Sequence, residues 1–253
     1  MKQFCDIPFV KREEEELALD LYLPDAEEFD LFIYLHGGGL EKGKKHGVPG
    51  TMLANYLPAH GIGLACLSYR KYPNAKYPDF VEDAAAGVHW ISNHIREYGN
   101  CRRIFVGGSS AGGYLSMMLC FDRRWYDACG EFPVPIAGYV HDAGQPTCHF
   151  NVLRERGIDT RRMIIDDSAP LYHIGTLPEY PPMLFLVSDN DRENRYEQTQ
   201  LVLSTLKHFR YDESKIFYRL MHGKHCAYNK TLDENGNGIL ATIVAEFING
   251  VKF

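Results

Sequence analysis

"RRIFVGGSSAGGYLSMML", residues 102–119, passes from a β-type run through two glycine pairs directly into a helical pattern. Within it Gly108, Ser109, Ser110, Ala111 and Gly112 spell G-x-S-x-G. A serine on a strained strand-to-helix turn needs small neighbours on both sides. The turn lifts its hydroxyl above the sheet, while the helix N-terminus points amide dipoles at developing negative charge. A glycine-rich turn of this kind can instead bind phosphate, but the G-x-x-x-x-G-K-[ST] and G-x-G-x-x-G spacings are both absent.

Outward from this turn, short β-type runs alternate with longer helical patterns, the signature of a mostly parallel α/β sheet with crossover helices. Strands are expected near 17–23, 31–36, 63–69, 103–108, 136–141, 183–188 and 215–221, and helices near 49–59, 79–98, 111–121, 194–209 and 238–249. The helix from Asp79 is the best marked: Phe80, Ala84, Val88, Ile91 and Ile95 recur at helical spacing, Pro78 precedes it and Gly99 ends it. The run of four glutamates at 13–16 reads as a solvated face or a charged edge strand. No internal repeat divides the chain, so residues 1–253 read as one domain. Residues 144–181, rich in Pro, Arg, Asp and His, read as an insertion over one end of the sheet, a lid or pocket wall.

A second glycine cluster, in "IYLHGGGLEKG" (33–43), follows an earlier buried-type strand. Three glycines there cost roughly 1 kcal/mol each relative to alanine. An ester carbonyl attacked by a serine becomes an oxyanion, and backbone N–H groups must reach it without a Cβ in the way. One such donor is worth about 3–4 kcal/mol in the transition state, so the bare backbone is worth its folding cost.

Together, "YLHGGG" (34–39), "SYRKYPNAKYPDFVEDAAAGVHWI" (68–91), "EYGNCRRIFVGGSSAGG" (97–113) and "SAPLYHI" (168–174) resemble the hormone-sensitive-lipase-like esterases of the α/β-hydrolase superfamily, from about residue 30 to 230. The resemblance implies the α/β-hydrolase fold, with Ser110 as nucleophile and an oxyanion hole made by the amides of Gly38, Gly39 and Ala111. Ser109 stands where the family carries an acid, a change expected to alter packing around the elbow more than the reaction. Tyr69 and Arg70 match a motif read as structural, and His36 is expected to shape the oxyanion loop through hydrogen bonding. The stretch ahead of the HGGG strand is too short for the N-terminal helical cap of many relatives. That points toward the smaller carbohydrate-ester hydrolases and formamidases of the superfamily.

The fold orders its relay as Ser, Asp/Glu, His. "DNDREN" (189–194) offers Asp189, Asp191 and Glu193, with Asp142 a remoter candidate, and "MHGKHCAY" (221–228) offers His222 and His225. The family's spacing after a small residue selects Asp191, and its glycine-then-histidine pattern selects His225. A charge at the start of the next helix would equally explain Asp191 or Glu193.

The chain has 253 residues, a formal charge of −6, 45% apolar and 24% charged residues, and a pI near 6.0. This balance offers no basic footprint for nucleic acid or anionic membranes. The first residues lack a leader-like apolar core, and no run approaches the roughly 18 apolar residues of a membrane span; a cytoplasmic location is the expectation. Seven cysteines without a CxxC pair fit a reducing compartment and read mostly as small apolar fillers. No His/Cys/Asp cluster has zinc-site spacing, so neither metal nor cofactor is implied. The expected activity is acyl-enzyme hydrolysis of short-chain carboxylic esters, of acylated sugars or other small polar alcohols, with an amidase or formamidase as the alternative. A non-catalytic ligand-binding role is the more distant one. The expected partner is a small-molecule ester; the oligomeric state is not legible.

Overall fold

The computed structural model describes residues 1–13 and 15–250. The chain opens with β1 (Lys2–Lys11), β2 (Glu16–Leu23), β3 (Glu28–Leu35), α1 (Val48–Tyr56), β4 (Ile62–Leu67) and α2 (Asp79–Tyr98). It continues through β5 (Asn100–Ser109), α3 (Ala111–Phe121), α4 (Arg124–Asp127), β6 (Ile136–Asp142) and α5 (Phe150–Glu155). β7 (Met183–Asn190), α6 (Arg195–His208), β8 (Ile216–Lys224) and α7 (Ile239–Ile248) complete it. The strands form one sheet in the order β1-β2-β4-β3-β5-β6-β7-β8. β2 is antiparallel to both its neighbours, and β4, β3, β5, β6, β7 and β8 are parallel throughout.

Strand β3 shows how the two faces are built. Leu31, Ile33 and Leu35 point into one apolar layer and Phe32 and Tyr34 into the other, the period of two that a doubly covered strand requires. The first layer is filled by α2, through Phe80, Ala84, Val88, Ile91 and Ile95, and by α3, every residue of which is buried. The second is closed by α1 and α7. Each fully buried Leu, Ile or Phe contributes roughly 2 kcal/mol, so these two layers carry the fold and hold the carboxyl ends of the parallel strands along one edge of the sheet.

All seven expected strands form, and the helix at 79–98 has the expected bounds. β1 was not anticipated: as an edge strand it is half exposed and carries no clean alternation. The glutamate run lies mainly in the β1–β2 turn, closed by Arg12 N–H donating to the Glu15 carbonyl, with Glu16 opening β2; Glu14 lies outside the described residues. All seven cysteines are free thiols, four of them buried. Among the described residues no helix is long and apolar enough to cross a membrane.

Candidate active site

Ser110 sits between the end of β5 and the start of α3 with φ 56° and ψ −109°. A side chain is strained there, and the flanking glycines explain how the turn closes. A Cβ on Gly112 would lie 1.9 Å from the Leu35 carbonyl oxygen, and one on Gly108 would lie 2.5 Å from the same atom. Both glycines are therefore demanded by the close approach of β3 to the turn. The Ser110 amide is tied to β6 by donating to the Asp142 carbonyl at 2.8 Å.

The turn meets two loops from the far half of the sheet. His225 follows β8, and its Nε2 lies 2.8 Å from Ser110 Oγ. Its Nδ1 lies 2.5 Å from Oδ1 of Asp191, one residue past β7. The Asp191 side chain is 1% exposed and that of His225 15%. Burial works to raise the Asp191 carboxyl, but the hydrogen bond and charge of His225, with the amides of Arg192 and Ser188, hold it below its ordinary value. In this arrangement Nδ1–H donates to Asp191 and Nε2 accepts from the Ser110 hydroxyl.

The alternative residues form a different pair. His222 Nδ1 lies 2.7 Å from Asp189 Oδ2, but the His222 side chain is 89% exposed and bonds no serine. Glu193 lines a neighbouring hollow. Cys226 Sγ is 3.7 Å from His225 Nε2, and burial, reinforced by Asp142 and Asp191, pushes its thiol up and keeps it protonated.

Opposite the relay lies the loop after β3. Gly38 has φ +126° and Gly39 φ +68°, and a Cβ on Gly38 would meet the Lys42 carbonyl oxygen at 2.2 Å. The Gly38 and Gly39 N–H groups donate to no acceptor among the described residues, and Ala111, first residue of α3, has the free amide of a helix start. His36 Nδ1–H donates to the Gly37 carbonyl at 2.8 Å, and burial lowers its pKa to about 4, keeping it neutral. Tyr69 stacks on His36 at 4.3 Å and donates to its carbonyl at 2.7 Å. Arg70 pairs with buried Asp83.

Beneath the turn is a buried polar network centred on Asp142, which bonds to neither histidine. Asn229 donates to Ser109 Oγ at 2.8 Å and to Asp142 Oδ2 at 2.6 Å, Tyr34 donates to Ser109 Oγ at 3.2 Å, and Tyr228 donates to Asp142 Oδ1. Burial raises the Asp142 carboxyl despite these donors. Asn229 and Tyr228 escaped the sequence reading. Their one signal is position, three and four residues past His225. Ser109 is small enough to join the network without placing a second carboxylate beside Asp142.

A cavity of about 610 Å³ opens over Ser110 and His225. Its main wall is the loop Gly37–Gly47 with the first turn of α1; of residues 144–181 only Phe150 lines it. Of the segment expected as a lid or pocket wall, Thr160, Arg161, Arg162 and Met163 line an adjoining hollow instead. The segment packs around its own small core of Cys148, Leu153 and Ala169. Several of its arginines are held in ion pairs, Arg154 with Glu41, Arg156 with Asp166 and Arg161 with Asp159.

Residues 19–134, which hold the Gly37–Gly39 loop and the Ser110 turn, match the BD-FAE family model. A probable isoprenylcysteine alpha-carbonyl methylesterase of Arabidopsis thaliana is 33% identical over 116 residues, 45% of this chain and 27% of that protein. An acetyl esterase of Salmonella schwarzengrund is 34% identical over 105 residues, 40% of this chain and 32% of that protein. Each match thus spans about a third or less of the relative's length. A butyrate-bound esterase of Thermogutta terrifontis superposes with a TM-score of 0.77 at 19% identity, over 98% of this chain and 95% of that one. The chain has the α/β-hydrolase fold. Its sequence likeness to named esterases is confined to less than half of its length.

Proposed function

We propose that the chain is a serine carboxylic-ester hydrolase working through an acyl-enzyme on Ser110. The observation that carries this reading is the continuous relay from Ser110 Oγ through His225 to buried Asp191, facing unpaired amides across the turn. Ser110 Oγ attacks the ester carbonyl while His225 Nε2 takes its proton, and Asp191 holds the tautomer and the imidazolium. The N–H groups of Gly38, Gly39 and Ala111 receive the oxyanion. His225 returns the proton to the leaving alcohol, and a water attacks the acyl-enzyme by the same route to release the acid and free serine. The esterase names of the partial relatives support the reaction class.

Short acyl groups are the acids we assign to this cavity. Its large apolar side chains are Tyr34, Val48 and Phe150, set among glycines and charged residues. A long chain would need a continuous apolar trench to collect about 0.8 kcal/mol per buried methylene. Across a series of p-nitrophenyl esters, kcat/KM should be highest from acetyl to butyryl and nearly absent beyond about eight carbons. A rise that continues from butyrate to dodecanoate would overturn the short-acyl assignment.

A further inference from the structure

The chain is acidic as a whole, with 33 Asp and Glu against 27 Lys and Arg, yet the cavity over Ser110 is not. Its charged rim consists of Lys42, Lys44, Arg192 and Lys230 against the single carboxylate of Glu41, and that carboxylate is engaged by Arg154 at 3.2 Å. No ion-pair partner among the described residues faces any of these four cations, whereas Lys45 next in sequence is buried against Asp6 and Asp20. The Arg192 guanidinium is turned over the Phe150 ring, 5.9 Å from its centroid.

Phe150 and Arg192 also wall a second hollow, of about 440 Å³, next to the first. It is lined by Arg161, Arg162 and Arg195, with Glu193 as its carboxylate. Arg195 is 5% exposed and makes no ion pair with a carboxylate among the described residues, although the charge of Asp191 acts on it. Its Nη atoms donate to the Ala143 carbonyl at 2.7 Å and to Gln145 Oε1 at 3.3 Å, while Nε is buried without an acceptor. Arg161 is paired with Asp159, but the four rim cations Lys42, Lys44, Arg192 and Lys230 have no ion-pair partner among the described residues, and like charges gathered in this way repel one another. A cleft lined by one sign of charge concentrates ligands of the other sign.

Resting on the ester-hydrolase reading above, we infer that the substrate is an ester bearing an anionic group, a carboxylate or a phosphate, which the cationic rim receives while the ester carbonyl lies at Ser110. This narrows the small polar alcohol or acid to a charged one, and makes Lys42, Lys230 and Arg192 specificity residues rather than solvated surface. Electrostatic recognition across an open rim is screened by salt, which supplies a signature that shape selection lacks.

The test uses two matched pairs: mono-p-nitrophenyl succinate against p-nitrophenyl butyrate, and 1-acetyl-glycerol 3-phosphate against glycerol monoacetate. At low ionic strength at least one anionic ester should exceed its neutral twin by at least about tenfold in kcat/KM, and the winning pair distinguishes carboxylate from phosphate. In 0.5 M NaCl the advantage should shrink at least about threefold, and in Lys42→Gln/Arg192→Gln/Lys230→Gln it should fall below about threefold. Neutral twins that match or beat both anionic esters, or an advantage indifferent to salt, would overturn the inference and leave ester hydrolysis standing. Absence of turnover on all four esters would overturn both.

Discussion

Asn229 Nδ2 donates to Asp142 Oδ2 at 2.6 Å, and so fastens the loop that carries His225 to the end of β6. The same nitrogen reaches Ser109, the neighbour of Ser110. One amide therefore sets the separation of serine and histidine from below. Asn229→Ala should lower kcat at least about tenfold with little change in KM, and should cost about 1–3 kcal/mol of stability because Asp142 loses a buried donor. Steady-state kinetics beside urea unfolding checks both. Lost stability with unchanged kcat would make the network structural only.

Gly39 stands where a methyl group has no room: a Cβ would lie 2.9 Å from Phe150 Cζ, on backbone with φ +68°. Gly39→Ala should shift the oxyanion loop and reduce kcat about a hundredfold, while the melting temperature stays within a few degrees. Kinetics with a p-nitrophenyl acetate substrate reads the effect directly. Near-normal kcat would remove the Gly39 amide from the oxyanion site.

His222 and Asp189 mimic the relay on the surface. Since they reach no nucleophile, His222→Ala and Asp189→Asn should each leave kcat within about threefold of the parent, whereas His225→Ala and Asp191→Asn should each cost at least about a thousandfold. Comparison of the four variants on one ester separates the pairs, and a large loss in His222→Ala would reverse the assignment.

The sheet was legible because β3, β5 and β7 are written as apolar runs and α2 and α3 as clear helical patterns bounded by proline and glycine. The turn at Ser110 was legible too, since only glycine fits where Gly112 meets Leu35. The choice between His222 and His225 lay in strand length. β8 extends to Lys224, which strands His222 on an exposed edge and leaves His225 free to fold back over the turn. What remained hidden were long-range partnerships. Asn229 is 120 residues from Ser109 in the chain, and nothing in local composition announces that bond. The partners of the 144–181 arginines were hidden in the same way: Arg154 reaches Glu41 in the loop after β3, while Arg156 and Arg161 find Asp166 and Asp159 within the segment, and Phe150 is its one residue lining the cavity.

Three histidines give the fold an acid-side signature. Burial lowers His36 to about 4 and His141 to about 3, and burial with nearby Arg195, Arg192 and Arg154 lowers His149 well below its ordinary value of 6.5. In the unfolded chain all three bind protons near 6.5, so their contribution is full above that pH and is lost as pH falls toward the folded values. Each costs up to about 1.4 kcal/mol per pH unit over that window. Urea unfolding between pH 7.5 and 4.5 should show stability falling steeply below about pH 6.5. His141→Phe, which suits the ring's neighbours Phe121, Tyr139 and Phe185, should flatten the slope by about one proton. An unchanged slope would assign the proton uptake elsewhere.

The account turns on Ser110 being the group that His225 activates, and a fluorophosphonate probe reports this most directly because it bonds covalently to an activated serine. Intact-mass spectrometry should show one adduct per chain, peptide mapping should locate it on Ser110, and Ser110→Ala should lose both the adduct and ester turnover while unfolding with the parent's midpoint. An adduct on Ser109, or ester turnover that persists in Ser110→Ala, would contradict it.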